Sequence, residues 1–266
     1  MRKLRYLLKI YRIFTVQDFK NMLEYKVDFI VGVISVFFTQ ALNIIFIWII
    51  FSQIPSLEGY DLNEVIFIYA FSLLPKGIDH MLFDNLWVVA NVTVEKGEFD
   101  KYLTRPINPL FHVLVEKFQI DAFGEIIVSV ILLVSTISNV NISWNIFNIG
   151  LFILVIPFAT LIYTSVKIAT TAISFWTKRS GNITSVLYTV SDFAKYPVNI
   201  YNSFVRTIIT FIIPFAFTAF YPASYFLTGE NPFFYIGGTV IVSIVMLLIS
   251  NIIWGRGILV YESAGS

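Results

Sequence analysis

Apolar residues come in long blocks along this chain, and the polar gaps between them differ in sign of charge. Blocks near residues 27–51, 62–90, 118–137, 146–176 and 233–254 suit helices crossing a hydrocarbon layer, which takes roughly 20 residues. The second block runs on as helix towards Val94. At about 1.5 Å per residue it reaches ~48 Å, beyond a hydrocarbon thickness of about 30 Å, so its far end is expected to project into water. Residues 1–26 read differently. Leu4, Leu7, Leu8, Tyr11, Phe14, Phe19, Met22 and Leu23 recur at helical spacing, interleaved with Arg2, Lys3, Arg5, Lys9, Arg12 and Lys20. That is the pattern of a basic amphipathic helix lying in the membrane interface and drawn to anionic lipid. Docking on a partner protein is the alternative.

The stretch from Gly181 to Gly229 admits two readings. Ile183 to Ile200 is moderately apolar and holds Asp192, Lys195 and Pro197; Thr207 to Leu227 is more apolar but is interrupted by Pro214 and Pro222. Either residues 183–203 form the fifth span and 204–227 a re-entrant extracytoplasmic hairpin, or 207–227 spans and the first piece is an amphipathic helix on the cytoplasmic face. Both readings give an all-α integral membrane protein: one domain over 1–266, with six transmembrane helices, an N-terminal interfacial helix and both termini on one side.

Charge asymmetry sets the expected orientation. Lys and Arg crowd residues 1–26 and recur at Lys96, Lys101, Arg105, Lys117, Lys178, Arg179 and Arg256, whereas 52–61, 138–145 and 228–232 carry none. By the positive-inside rule both termini and the 91–117 loop are cytoplasmic, in a multi-pass protein of a bacterial cell membrane. Composition agrees. Only 13% of residues are charged and 57% are apolar, where a soluble domain carries about 25% charged residues. A net charge of +1 gives no nucleic-acid footprint, and the absence of cysteine removes disulfides, thiolate metal sites and cysteine nucleophiles. The basic N-terminus leads into a long amphipathic segment rather than the short apolar core of a cleavable signal.

No catalytic constellation or metal site emerges. A Gly-rich phosphate loop with Lys-Ser/Thr is missing, so the chain is not expected to hydrolyse a nucleotide itself. His80 and His112 have no ligand spacing. The sharper clue is intramembrane charge, which is expensive in lipid and faces protein or water. Lys76, Asp79, His80 and Asp84 cluster in the second block, with Lys76/His80 and His80/Asp84 on one helix face. They are candidates for a translocation path or intramembrane polar contacts; snorkelling and local pairing near a helix end is the plainer reading. Asp121 and Glu125, one turn apart at the start of the third span, are placed to pair with that cluster. Asp192 and Lys195 are expected to face the protein interior if 183–203 spans. Lys167 is expected to snorkel to the cytoplasmic interface.

Between the second and third blocks lies Gly97-Glu-Phe-Asp-Lys-Tyr-Leu-Thr-Arg-Pro-Ile-Asn-Pro-Leu-Phe111. Pro106 and Pro109 stop helices there, and Phe99, Tyr102 and Leu103 are expected to be exposed apolar residues among mixed charges, suited to docking. This segment, Lys195-Tyr-Pro-Val-Asn-Ile-Tyr-Asn-Ser-Phe-Val-Arg206, Ile213-Pro214 and Tyr221-Pro222-Ala223 resemble the small ABC type-2 exporter permeases with an RP-N-P-L loop after the second span. The likeness covers essentially the whole chain. It implies a coupling helix at Thr93 to Leu103, with Glu95, Glu98, Phe99, Asp100, Tyr102, Leu103, Arg105 and Pro106 at the contact with a separate ATP-binding cassette ATPase. It also implies two ATPase copies that carry ATP and Mg, a second permease (identical or sibling) and no cofactor on this chain. An exporter of hydrophobic or amphiphilic cargo is the expected function. A secondary carrier or a lipid-modifying membrane enzyme is the alternative, although the inverted repeats of the one and the clustered catalytic groups of the other are not evident.

Overall fold

The computed structural model describes residues 2–24 and 26–263, and these are helical almost throughout, with no strand among them. The helices are α1 (Arg2–Glu24), α2 (Lys26–Phe51), α3 (Leu62–Phe83), α4 (Asn85–Val88), α5 (Asp100–Leu103), α6 (Pro109–Val115), α7 (Phe123–Thr136), α8 (Ile146–Ala172), α9 (Ser174–Thr177), α10 (Gly181–Val190), α11 (Ser203–Thr207), α12 (Phe220–Thr228) and α13 (Gly238–Val260). Of α1, the apolar positions Leu4, Leu7, Leu8, Met22 and Leu23 lie outside the residues whose side chains are described.

A capping box fixes the start of the helix around which the others pack. Glu64 N–H donates to Asp61 Oδ1 at 2.9 Å, and Asp61 N–H donates to Glu64 Oε2 at 2.8 Å, so two orphan donors are satisfied together. From this cap α3 runs through the middle of the bundle, against α7 on one side and α8 on another. Its apolar window is 67% buried, against 11% for α2 and 22% for the last long helix. The closest helix pairing of the periphery is α8 with α13.

Among the described residues, four helices are long and apolar enough to cross a membrane: Phe29–Phe51, Leu62–Phe83, Ile146–Thr177 and Phe233–Val260. They fall on the blocks expected from the sequence. The block at 118–137 does not make one straight helix. α7 has 14 residues, about 21 Å, and meets the α6 segment at a 63° bend. The intervening chain is anchored from outside: Gln119 N–H donates to the Met81 carbonyl at 2.9 Å, and Phe118 N–H to Asp18 Oδ2 at 2.7 Å.

Neither candidate for a fifth span is an uninterrupted helix. α10 is followed by 3-10 turns at Ser191–Lys195 and Val198–Ile200. Pro197, which lacks an N–H, leaves Tyr196 extended at φ −124°, ψ 161°. The second candidate runs from α11 into a π-helical turn, Ile208–Ile212, and breaks at Ile213–Pro214. It then continues through the 3-10 turn Phe215–Thr218 and α12, whose residues Phe220, Ala223 and Phe226 lie in the main apolar core with Phe67 and Phe71 of α3. The shape is helix, break, helix.

α3 does not stop at Phe83. It turns at Asp84 and continues through α4 and a π-helical turn, Val89–Thr93, reaching the end of the bundle where residues 94–117 form a folded elbow.

Candidate functional site

Two polar structures stand out: a chain of ion pairs inside the bundle and the elbow at its end. The first begins on α8. Thr160, Thr164, Lys167 and Thr171 recur at intervals of four, three and four residues, which places them on one helix face. That face lies along α3. Thr160 Oγ1 donates to the Pro75 carbonyl at 3.3 Å, Thr164 Oγ1 to Asp79 Oδ1 at 2.7 Å and Thr171 Oγ1 to the Leu86 carbonyl at 3.2 Å.

Lys167 sits in the middle of this seam. Its Nζ is 2.8 Å from Asp79 Oδ2 and 2.9 Å from Asp84 Oδ1, and the Lys167 and Asp79 side chains have no solvent exposure. The expected snorkelling of Lys167 is therefore corrected: its ammonium group points into the protein, because two carboxylates of α3 lie within reach and water does not. Tyr188 of α10 completes the site, donating its hydroxyl to Asp79 Oδ2 at 2.9 Å. Its ring also lies 5.6 Å from the Lys167 ammonium and 5.4 Å from that of Lys76 and stacks on His80 at 5.3 Å.

The rest of the cluster is paired between elements as well. Lys76 Nζ is 3.2 Å from Asp192 Oδ1, His80 Nδ1 is 3.0 Å from Glu125 Oε2, and Lys195 Nζ is 3.6 Å from Asp192. Local pairing near a helix end is thus corrected too: Lys76, Asp79, His80 and Asp84 each take a partner from α7, α8 or the 3-10 turn after α10. The reason is packing: α7, α8 and the turn after α10 all lie against α3 and bring opposite charges closer than its own helix neighbours do. Of the two acids expected to join the cluster, Glu125 does. Asp121 lies in a 3-10 turn against Gly32 of α2, where a side chain at position 32 would come within 3.3 Å of the carboxylate.

Lys76, His80, Glu125, Tyr188, Asp192 and Lys195 line a cavity of about 320 Å³ between α2, α3, α7 and α10. Thr39, Gln40 and Asn43 face it from α2, Tyr69, Ser72, Lys76 and His80 from α3, and Asp192 and Lys195 from the 3-10 turn. Asn43 Oδ1 accepts from Lys195 Nζ at 3.1 Å, and Tyr69 donates its hydroxyl to Gln40. The Asp192 side chain is 46% exposed, whereas Lys195 is 17% and Lys76 21% exposed. The cavity therefore opens at Asp192.

The elbow is built around Phe99. Its ring lies 4.8 Å from Phe175 at the α8–α9 end, 6.0 Å from Trp254 on α13 and 5.3 Å from Tyr261. Phe99 and Tyr102 are buried, which corrects the expectation that both are exposed for docking: the segment folds its aromatic face onto the ends of α8, α9 and α13. Leu103 is 41% exposed, the expected apolar contact residue that stays outside. Glu95, Lys96, Glu98, Lys101, Thr104, Arg105, Pro106 and Asn108 share that exposed rim.

Behind the rim Glu116 gathers three donors. Lys101 Nζ is 2.9 Å from Oε1, Asn85 Nδ2 is 3.2 Å from Oε2, and the Tyr102 hydroxyl donates to Oε2. Burial alone would push this carboxyl up, but the hydrogen bonds from Tyr102 and Lys101, with the Lys101 charge, hold it below its ordinary range. His112 moves down, because burial opposes its charged form; it lies 3.0 Å from the Arg105 guanidinium, whose N–H it accepts at Nε2 in the neutral form. Glu95 pairs with Arg179 at 2.6 Å, and Asp100 accepts from the Ser263 hydroxyl at 2.6 Å. Close approach is needed where α10 begins. A Cβ on Gly181 would stand 1.9 Å from Asn91 Oδ1, so glycine lets α10 abut the π-helical turn.

The sequence pattern points Lys167 to the wrong surroundings and does not single out Tyr188, Glu116 or Asn85. The Thr160/Thr164/Lys167/Thr171 spacing was the available signal for the first; the others carry none in isolation.

Among the described residues, four membrane-length helices, a buried ion-pair seam and a folded elbow describe a multi-pass membrane protein. Residues 37–265 match the family described as ABC-2 family transporter protein, and the chain belongs to that family. It is a multi-pass membrane protein. Neither a curated protein nor a solved structure matches the chain.

Proposed function

We propose that the chain is the permease subunit of an ATP-binding cassette exporter, moving a hydrophobic or amphiphilic cargo out of the cytoplasm. In this reading ATP and Mg belong to a separate ATPase present in two copies, and a second permease, identical or a sibling, completes the assembly. The elbow 94–117 is its cytoplasmic coupling element, with residues 183–203 as the fifth span and 204–227 as an extracytoplasmic re-entrant hairpin.

The observation that carries the reading is the mechanical continuity of the elbow. Its exposed rim is one residue away from side chains locked into the bundle. Leu103 follows Tyr102, which is tied through Glu116 to Asn85 at the start of α4. Asn85 follows Asp84, and Asp84 is held by Lys167 of α8. Contacts thus run from the rim to the α3–α4 bend and the ion-pair seam without a gap, a contiguous route of the kind that carries coupling.

The test is capture of the tagged permease from its own membranes, followed by peptide sequencing of what accompanies it. An ATPase with a phosphate-binding loop is expected with the wild type and at less than one tenth of that yield with Leu103→Asp/Arg105→Glu. Equal yields from both would remove the elbow from the contact.

A further inference from the structure

The cavity between α2, α3, α7 and α10 holds more cationic donors than its acids take up. Lys76 and Lys195 present three N–H donors each, and a single carboxylate, Asp192, stands between them at 3.2 and 3.6 Å. Lys195 has one further hydrogen-bond partner, Asn43, and lies 5.8 Å from the Tyr196 ring. Glu125, the other acid in the wall, is engaged by His80. The charge at the mouth is therefore two ammonium groups to one carboxylate, with the carboxylate on the exposed side. Hydroxyls of Tyr69, Ser72 and Ser191 complete the wall.

Size and surroundings narrow the occupant. About 320 Å³ is at the lower end of small-molecule sites, which run from roughly 300 to 1,000 Å³. It suits a polar group and a few waters, not a whole amphiphile. Phe193, next in sequence to the exposed Asp192, is itself exposed, so apolar surface lies one residue from the polar mouth.

We propose that this cavity binds the anionic group, phosphate or carboxylate, of an amphiphile, held by Lys76 and Lys195 with its apolar part outside the mouth. An entering anion takes the donors that Asp192 now shares, so Asp192 acts as the competitor within the site. That the bound amphiphile is also cargo rests on the exporter reading; the binding itself does not.

The full chain reconstituted in phosphatidylcholine vesicles tests this, with spin-labelled phosphatidic acid and spin-labelled phosphatidylcholine as probes and the motionally restricted fraction as readout. The wild type is expected to restrict the phosphatidic acid label at least twofold more than the phosphatidylcholine label. Lys76→Gln and Lys195→Gln should each reduce that excess by half or more. Asp192→Asn, which removes the competitor, should raise it at least twofold, and this variant decides the matter if a lysine variant fails to fold. Equal restriction of the two labels, or a fall in Asp192→Asn, would overturn the proposal. So would loss of the excess on adding millimolar inorganic phosphate, which would assign the site to a free anion. No nucleotide or ATPase is present, so a negative result here leaves the coupling reading untouched.

Discussion

Lys167 Nζ lies 2.8 Å from Asp79 Oδ2, and both side chains are wholly excluded from solvent. With Asp84 at 2.9 Å on the other side, one ammonium group ties α8 both to α3 and to the bend that follows it. Lys167→Met should therefore destabilise the fold by about 3–5 kcal/mol, the cost of leaving a buried charge unpaired. Adding Asp79→Asn should recover a measurable part. Thermal unfolding in detergent checks both; an unchanged midpoint in Lys167→Met would contradict the pairing.

Phe99 and Leu103 sit four residues apart and should respond oppositely. Phe99→Ala opens a cavity among Phe175, Trp254 and Tyr261 and should cost about 3–5 kcal/mol. Leu103→Asp lies on the exposed rim and should leave stability within about 0.5 kcal/mol while impairing coupling. Protease protection of the elbow separates the two, and equal protection of both variants would argue against a buried Phe99.

Acid should loosen the elbow in two stages. His112 is held below its ordinary 6.5, so the folded state binds fewer protons than the unfolded chain as pH falls through that value, and stability drops with it. Glu116 is held below its ordinary 4.5; the stability it contributes is present above that value and is lost as pH falls through its lower folded value. Hydrogen-exchange protection factors at residues 99–116, which take out the pH dependence of intrinsic exchange, should fall between pH 7.5 and 5.5, and His112→Gln should flatten that fall. An equally steep fall in the variant would exclude His112 as its source.

Gly181→Ala should disturb the start of α10, since its Cβ meets Asn91 Oδ1 at 1.9 Å. Asn91→Ala in the same chain removes the obstacle and should restore the wild-type unfolding midpoint. Failure of that rescue would place the strain elsewhere.

Much of this architecture is legible in the sequence, for a physical reason. Apolar blocks such as 27–51 and 233–254 are long because lipid leaves backbone polar groups no partner but their own helix. The extension past residue 90 follows from helix length alone. What periodicity does not encode is which face of a helix meets which neighbour. Lys167 reads as an interfacial lysine until α3 is seen to bring Asp79 and Asp84 to it. Phe99 and Tyr102 read as exposed because a short, charged, proline-flanked segment hides that its aromatic face folds onto α9 and α13. The broken stretch 181–228 resists assignment for the same reason: Pro197, Pro214 and Pro222 announce interruptions, but only tertiary packing shows how the pieces return.

The central claim is that the rim of the elbow receives a separate ATPase. Its most direct measurement is photocrosslinking in intact membranes from a benzoylphenylalanine placed at Glu98, Leu103 or Arg105, with Ser143 on the α7–α8 connection as the control. Adducts with an ATP-binding cassette ATPase are expected from the three rim positions and none from position 143. Adducts from position 143, or none from any rim position while the ATPase is present, would contradict the claim.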